Sequence, residues 1–421
     1  MSFEKTPLNE FITLQRGFDL PKGDRAEGTV PVVASTGVGG YHDSAKVDAP
    51  GVVIGRSVSI GGGQYIQEPF WPLNTTLWVK DFKGHDPRFI YYLMRSIDFT
   101  KFNVGSGVPT LNRNHLSSLL VNELGLDREK AISKQLGDID DKIALNTQTN
   151  QTLEQIAQAI FKSWFVDFDP VKAKMNGEQP EGMDAATASL FPEKLVESEL
   201  GLIPEGWPVD QVGNHIDVTK GKSYKSAELQ ESTTALVTLK SFKRGGGYRM
   251  DGLKEYTGKY KPQQVIEAGD LVMSLTDVTQ AAEIVGKPAL VIDAPQYDTL
   301  VASLDVAILS PKETDAKQYF YGLMSTYRFH RYAESFATGT TVLHLSPKGI
   351  TTFEFACPSA ELVKKYHEFA APIFAKIEAN ILESQELAKL RDTLLPKLLS
   401  GEIKLGDTAI MKTEKVMESA K

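Results

Sequence analysis

Cysteine is almost absent from this chain of 421 residues, and Cys357 is the single one. One cysteine excludes an internal disulfide and any zinc site built from several cysteines. The histidines show no close metal-binding spacing, at positions 42, 85, 115, 215, 330, 344 and 367. The sequence therefore predicts no metal site.

Long apolar runs are missing as well, since no uninterrupted stretch approaches the roughly 18 residues of a membrane span. The chain does not open with a basic segment followed by an apolar one, so we predict no signal peptide. Hydrophobic residues make up 41% of the chain and charged residues 24%, which is typical of globular protein with two to four domains at this length. Together these features predict a cytoplasmic protein.

Catalytic motifs are equally scarce. A phosphate-binding loop at residues 221–223 needs a glycine at position 216, which is Ile216, and a dinucleotide-binding loop at 37–39 needs one at position 42, which is His42. The chain contains no Asn-Pro-Pro-aromatic or Asp-Pro-Pro-aromatic tetrapeptide, with which aminomethyltransferases hold a flipped base. We predict no catalytic residue in this chain.

The net charge is −8, which by itself disfavours nucleic-acid binding. The charge is unevenly distributed, however. Residues 128–199 hold eight basic and thirteen acidic side chains, whereas residues 220–261 hold ten basic and four acidic ones. Basic surface is therefore available in the second half of the chain.

The chain contains an imperfect internal repeat. Four segments of the first half match segments of the second half in the same order, at separations that grow from 204 to 234 residues: 12–17 with 216–221, 93–94 with 323–324, 107–111 with 339–343, and 142–146 with 376–380. A period of this length excludes a solenoid and predicts two related globular units.

Each copy ends in a long segment with a heptad stripe, which predicts a helix. A helix from Ile132 to Trp164 spans about 50 Å at 1.5 Å per residue. Polar residues interrupt both stripes at equivalent heptads, which predicts that the two helices pair with each other. An antiparallel pair keeps the connection over residues 165–206 local, although a parallel pair stays open. The predicted coiled-coil residues are Ile132, Leu136, Ile139, Ile143, Asn146, Asn150, Leu153, Ile160, Ile373, Ile377, Asn380, Ser384, Leu387, Leu394 and Leu398.

Short β-branched runs bounded by glycine and proline precede each helix and predict strands. The predicted fold class is therefore α+β, with two mixed α/β units in a pseudo-two-fold arrangement, joined and spaced by two long helices that form an antiparallel coiled coil. Two units at a fixed spacing suit a protein that reads two half-sites on duplex DNA.

Glycine-rich polar loops and basic loops with interleaved aromatic residues supply candidates for contacts to DNA phosphates and base edges. In the first unit they are Ser35, Thr36, Gly39, Tyr41, His42, Arg56, Gln64, Tyr65, Asn103, Ser106 and Arg113. In the second unit they are Lys220, Lys222, Lys225, Lys240, Lys243, Arg244, Tyr248, Arg249, Lys259, Thr340, Thr341 and His344.

Four segments resemble the specificity (S) subunits of type I restriction-modification enzymes. Residues 159–171, which begin Ala-Ile-Phe-Lys-Ser-Trp-Phe, closely resemble their central conserved region, and residues 390–403 resemble the distal conserved region. Residues 31–41 are similar to the start of a target-recognition domain, and 201–207 to the phrase that opens the second one. The resemblance covers nearly the whole chain up to residue 405.

The resemblance implies a non-catalytic subunit that binds double-stranded DNA and two methyltransferase (M) subunits, which carry S-adenosylmethionine and methylate adenine. Restriction (R) subunits, which use ATP and Mg²⁺, would join them in phage defence. No cofactor is implied for this chain itself. Each recognition domain would read one half of a bipartite target, and the helices would set the gap.

The domain borders implied are 1–127 and 207–360 for the two recognition domains, 128–165 and 361–400 for the spacer helices, 166–206 for the linker and 401–421 for the tail. The first recognition domain holds twelve basic and thirteen acidic residues, so its phosphate contacts are expected to use neutral donors. Two alternatives are a self-sufficient DNA methyltransferase or nuclease, and a structural coiled-coil adaptor.

Overall fold

A computed structural model describes residues 3–105, 107–278 and 281–403. The chain divides into two compact units, each assembled from parts of both long helices. Unit 1 contains residues 1–145 and 383–421, and unit 2 contains residues 146–382. Ser106 and the tail beyond residue 403 lie outside the described residues. The domain borders stated above stay a prediction.

Unit 1 contains short strands followed by the start of the first long helix. Its strands are β1 (Lys5–Pro7), β2 (Thr13–Arg16), β3 (Val30–Ala34), β4 (Gly37–His42), β5 (Gly51–Gly55), β6 (Gly61–Ile66), β7 (Trp71–Pro72), β8 (Thr76–Asp81) and β9 (Leu120–Asn122). Its helices are α1 (Leu8–Phe11), α2 (Pro87–Ser96), α3 (Arg113–Leu116) and the first half of α4 (Leu126–Phe165).

Unit 2 contains the remaining elements. Its helices are α5 (Asp169–Met175), α6 (Ala185–Ser189), α7 (Lys317–Ser325), α8 (Tyr327–Ser335), α9 (Lys348–Thr351) and the first half of α10 (Ala360–Ser400). Its strands are β10 (Leu195–Ser198), β11 (Gly201–Pro204), β12 (Val209–Gln211), β13 (Ile216–Lys220), β14 (Thr234–Val237), β15 (Lys254–Glu255), β16 (Val265–Ile266), β17 (Leu271–Ser274), β18 (Thr276–Asp277), β19 (Pro288–Leu290), β20 (Thr299–Ala302), β21 (Val306–Pro311), β22 (Ala337–Thr338), β23 (Leu343–Leu345) and β24 (Glu354–Ala356).

Three sheet features recur in the two units, which supports the internal repeat. An antiparallel four-stranded sheet has the order β2-β8-β5-β6 in unit 1 and β13-β21-β17-β19 in unit 2. A second sheet in each unit contains one parallel pair, β3 with β7 and β14 with β20. A third pair joins β1 to β9 and β12 to β24. The α+β prediction is therefore confirmed.

The central strands of the four-stranded sheets are buried on both faces, which explains their continuous apolar sequence. In β5, Val52 and Ile54 pack into the core formed with α2, α4 and α10, whereas Val53 packs into a second cluster with Phe70 and Trp78. This alternation follows from the two-residue period of a strand. In β17, Met273 and Val272 likewise enter different cores.

Each long helix begins against its own unit's sheet and pairs with the other helix in an antiparallel direction. In unit 1, Asp140 of α4 contacts Arg391 of α10, and Lys142 contacts Glu383. Residue numbers therefore rise along one helix as they fall along the other. In unit 2, Ala157 O accepts a hydrogen bond from Tyr366 at 3.1 Å, in the same sense. The two helices are therefore antiparallel. The predicted coiled-coil residues are buried or half-buried in both helices.

The structure corrects one register of the repeat. The separation inferred from residues 107–111 is two residues too short, because Gly105 and Gly339 occupy equivalent turns. A Cβ on either glycine would lie 1.9 Å from a carbonyl oxygen, that of Val108 or that of Val342. The true separation here is 234 residues, the same as in the long helices. The match of Gly107 with Gly339 and of Leu111 with Leu343 misled the alignment.

Candidate nucleic-acid interface

Corresponding loops meet at one end of the four-stranded sheet in both units, and we call this end the loop edge. In unit 1, Gly17 N donates to Thr76 O (3.1 Å), Arg56 N to Thr75 O (2.8 Å) and Leu111 N to Arg56 O (2.7 Å). The first two bonds tie the ends of β2 and β5 to the start of β8, and the third ties the loop before α3 to the end of β5.

The same three bonds occur at the loop edge of unit 2. Gly221 N donates to Val306 O (3.0 Å), Leu275 N to Asp305 O (2.7 Å) and Leu345 N to Leu275 O (2.7 Å). Gly17 and Gly221 are required there, because a Cβ would lie 2.2 Å and 2.1 Å from the carbonyl oxygens of Leu73 and Ser303.

Two guanidinium groups converge at the loop edge of unit 1. Arg16 Nε and Arg56 Nη1 each donate to the carbonyl oxygen of Asn74 at 3.4 Å. Among the described residues, no carboxylate lies within 4.0 Å of either group. Partial burial and the neighbouring Arg16 charge lower the pKa of Arg56. Two like charges that share one acceptor favour an anion between them, which fits a DNA phosphate.

The β3–β4 hairpin lies beside this pair. Ser35 N donates to Thr75 Oγ1 (3.4 Å), and Gln64 Nε2 donates to Ala34 O (2.9 Å), so the turn is fixed against the loop edge. Thr36 and Gly39 are exposed, and the Tyr41 side chain is 57% exposed. This hairpin therefore presents polar and aromatic groups next to the two arginines.

Three unit 1 residues predicted from the sequence have other surroundings. His42 is buried, its Nδ1 accepts a hydrogen bond from Ala26 N at 3.1 Å, and its ring packs on Trp71, so it is a core residue rather than a DNA contact. Tyr65 faces α2, where its ring lies 5.9 Å from that of Tyr91. Asn103 Oδ1 accepts from Thr110 N at 2.9 Å and shapes the 103–111 loop. Arg113 is exposed at the start of α3.

In unit 2 the loop edge carries lysine and neutral polar groups. Lys220 occupies the position equivalent to Arg16, and Leu275 that of Arg56. Lys222 continues from β13 and donates its backbone N–H to Ala302 O at 2.6 Å. Thr340, Thr341 and His344 are exposed in the segment equivalent to residues 106–110.

The basic loop after β14 is only partly available to a ligand. Arg249 makes a bidentate pair with Asp251 (2.9 and 2.5 Å), and Arg244 Nε lies 3.4 Å from Glu283. Tyr248 is buried in the unit 2 core, and burial raises its pKa. The prediction of Tyr248 as a DNA contact is therefore wrong, because its ring packs in the core. Lys240 and Lys243 are exposed there, and Lys225 and Lys259 are exposed near β15.

Polar residues on the helix seam of unit 2 satisfy one another. Asn380 Nδ2 donates to Asn150 Oδ1 at 2.8 Å, Asn150 Nδ2 to Ile377 O at 3.1 Å, and Asn146 Nδ2 to Asn380 O at 3.3 Å. Such a network holds only one helix register, because a slip would leave buried amides unpaired.

The single thiol is a poor nucleophile. Burial and the Asp210 carboxylate raise the pKa of Cys357 to about 11, so it is protonated near neutral pH. Within the described part of the chain, no helix is both long and apolar enough to cross a bilayer.

The chain is similar to known proteins. A family model described as the type I restriction modification DNA specificity domain matches residues 2–155. The specificity subunit of the type I restriction enzyme HindI from Haemophilus influenzae is 27% identical over 366 residues, which cover 75% of this chain and 77% of that protein. The MjaIX specificity subunit from Methanocaldococcus jannaschii is 25% identical over 75% of this chain and 69% of its own. Over three quarters of its length the chain is thus similar to type I restriction enzyme specificity subunits.

A solved structure shares the fold of this chain. The crystal structure of the type I restriction-modification system S subunit from M. genitalium covers 94% of this chain and 96% of its own, with a TM-score of 0.55 at 14% identity. The resemblance stated from residues 159–171 and 390–403 is confirmed. The relatives that the chain matches are specificity subunits, which are the non-catalytic, DNA-binding components of type I restriction-modification complexes. Neither alternative reading is favoured.

Sequence reasoning missed two groups of residues. Arg16 was overlooked, although the match of residues 12–17 with 216–221 aligns it with Lys220 and thus offered a signal. Asp210, His215 and Cys357 form a cluster that no spacing could reveal, because Cys357 lies 142 residues beyond His215.

Proposed function

We propose that this specificity subunit reads a split DNA target, with the loop edge of unit 1 on one half-site and that of unit 2 on the other. The observation that carries the proposal is the duplicated loop edge, closed by the same three backbone hydrogen bonds and supplied with basic groups in both copies. Arg16 and Arg56 would bind a phosphate in unit 1, and Lys220 and Lys222 would do so in unit 2.

The polar residues around each edge would read bases. In unit 1 these are the exposed Thr36 and Tyr41 together with the half-buried Ser35 and Gln64, and in unit 2 they are Thr340, Thr341 and His344. Arginine, glutamine, serine, threonine and histidine can all hydrogen-bond to base edges in the major groove. Ser106, Lys225, Lys240, Lys243 and Lys259 remain predictions for additional contacts.

The partners would be two methyltransferase subunits, held by the helical segments that resemble the conserved regions, and restriction subunits joined to them. S-adenosylmethionine, ATP and Mg²⁺ would belong to those partners, and the complex would act in the cytoplasm. The helical pair would set the gap between the half-sites.

DNA binding by the assembled methyltransferase, measured at several salt concentrations, tests the proposal. We expect Arg56→Gln, alone and with Arg16→Gln, to weaken DNA binding and to lower the slope of log K against log salt by about one per lost phosphate contact. Lys80→Gln is the matched control, since Lys80 is exposed near the other end of β8.

Substitution of base-reading residues in unit 1 gives the sharper outcome. We expect Gln64→Ala with Thr36→Ala to relax one half-site and leave the other half-site unchanged. Methylation maps in which changes confined to unit 1 alter both half-sites would contradict the assignment of one half-site per unit.

A further inference from the structure

Three side chains with different donor atoms meet in unit 2, away from the loop edge. Asp210 Oδ2 lies 2.9 Å from His215 Nε2, and Cys357 Sγ lies 3.8 Å from the same nitrogen. Ligand atoms of all three residues lie within 4.8 Å of one another. They combine a carboxylate, an imidazole and a thiol, which is a donor set typical of zinc.

Backbone pairing holds the three residues in place. The β12–β24 pair sets Asp210 opposite Phe355, and Cys357 N donates to Pro208 O at 2.8 Å just beyond that pair. His215 follows the turn at residues 212–214, and its N–H donates to Val212 O at 2.9 Å. The cluster is therefore built on hydrogen-bonded backbone rather than on mobile side chains alone.

Neighbouring groups orient the ligand atoms. Asp210 Oδ1 accepts from Asn214 Nδ2 (2.5 Å) and from Gln211 N (2.7 Å), which turns Oδ2 toward the imidazole. The Phe320 and Phe355 rings flank His215, with centroids 6.1 and 5.6 Å away. Outer partners that fix the carboxylate and the ring are characteristic of metal sites.

The spacing also fits a metal ion. Zinc bonds of about 2.0 Å to nitrogen or oxygen and 2.3 Å to sulfur place tetrahedral ligand atoms about 3 to 4 Å apart. The observed separations of 2.9 and 3.8 Å from His215 Nε2 are close to this range. His215 and Cys357 also line a cavity of about 680 Å³, which leaves room for water as a fourth ligand. We propose that Asp210, His215 and Cys357 bind one Zn²⁺-type divalent cation.

The alternative to a metal site is an ion pair between Asp210 and His215 with the Cys357 thiol beside it. Spectroscopy distinguishes the metal site from the ion pair. Cobalt(II) replaces zinc in such sites, and a cysteine ligand produces a sulfur-to-cobalt charge-transfer band in the near ultraviolet. Because Cys357 is the only cysteine, that band can come from no other residue. We expect the tag-free full chain to develop it with one equivalent of Co²⁺ and to lose it when Zn²⁺ is added.

Variants assign the ligands. We expect Cys357→Ser to abolish the band, and His215→Ala and Asp210→Asn to weaken Co²⁺ affinity at least about tenfold. His115→Ala, which removes an exposed histidine of unit 1, is the control and should bind as the parent does. Circular dichroism without metal checks that each variant is folded.

Absence of the band in the parent chain at millimolar Co²⁺ would overturn the proposal without any variant. Affinity that is unchanged in folded His215→Ala would overturn it as well. Because DNA is absent from the assay, either result leaves the proposed reading of DNA untouched.

Discussion

Replacing Arg391 with methionine is expected to destabilise unit 1, because Arg391 is the cationic partner of a nearly buried carboxylate. Arg391 Nη1 lies 2.6 Å from Asp140 Oδ1, and the two side chains are 12% and 19% exposed. Tyr92 donates its hydroxyl to Asp140 Oδ2 at 2.6 Å, so the carboxylate joins α2, α4 and α10. Burial and this hydrogen bond raise the pKa of Tyr92, which keeps it a donor.

Removing one member of a buried ion pair costs about 3–5 kcal/mol, since the other charge stays buried without a partner. Here the Tyr92 hydrogen bond remains and Asp140 keeps some contact with water, so we expect a loss of about 2–3 kcal/mol in the free energy of unfolding. Methionine preserves most of the aliphatic packing, which isolates the electrostatic part of the effect.

Urea unfolding of the full chain, followed by far-ultraviolet circular dichroism, measures this loss. A double-mutant cycle with Asp140→Asn should return a coupling energy of at least about 1 kcal/mol. Lys134→Met is the control: it breaks an exposed pair with Asp138 and should cost no more than about 0.5 kcal/mol. A coupling energy close to zero would refute the claim that this pair ties the helices together.

Three further predictions concern other parts of the chain. Gly17→Ala should lower the melting temperature, because its Cβ would lie 2.2 Å from Leu73 O, whereas Gly23→Ala, with open space around it, should not. Hydrogen bonds from Arg88 lower the pKa of Asp141. This pair therefore stabilises the fold above pH 4, and the stabilisation is lost as the pH falls through the lowered pKa. In Arg88→Gln the melting temperature should fall less between neutral and acidic pH than it does in the parent chain. Four residues inserted after Thr147 add about 6 Å of helix and a net turn of about 40°. Methylation mapping should then show unchanged half-sites with a gap longer by about two base pairs, whereas a one-residue insertion, which turns the seam by about 100°, should prevent assembly.

The helices and the repeat were accessible from sequence because both depend on local periodicity. A heptad stripe predicts the buried face of a helix wherever its partner lies, and Ile132, Leu136 and Leu394 of these stripes are buried. Equivalent polar interruptions at Asn146 and Asn380 indicated that the two helices pair with each other. The direction of pairing needed the contacts themselves, such as that between Asp140 and Arg391.

The loop edges were only partly accessible. Sequence reasoning identified exposed loop residues such as Thr36 and Tyr41, but it also selected His42 and Tyr248, whose rings lie in the core. The local sequence of a glycine-rich loop does not show whether a polar or aromatic side chain faces water or packs inward. Its orientation depends on neighbours distant in the chain, here Trp71 for His42.

The sequence by itself indicated the family resemblance, the duplication and the pair of long helices, because characteristic segments and periodic patterns are local properties of the chain. Only the tertiary structure decided which side chains meet. Arg16 and Arg56 share the Asn74 carbonyl, and Asp210 and His215 meet Cys357 across 142 residues. Such meetings depend on strand pairing between distant segments, and that pairing is driven by burial of a whole core rather than by the residues that it happens to bring together.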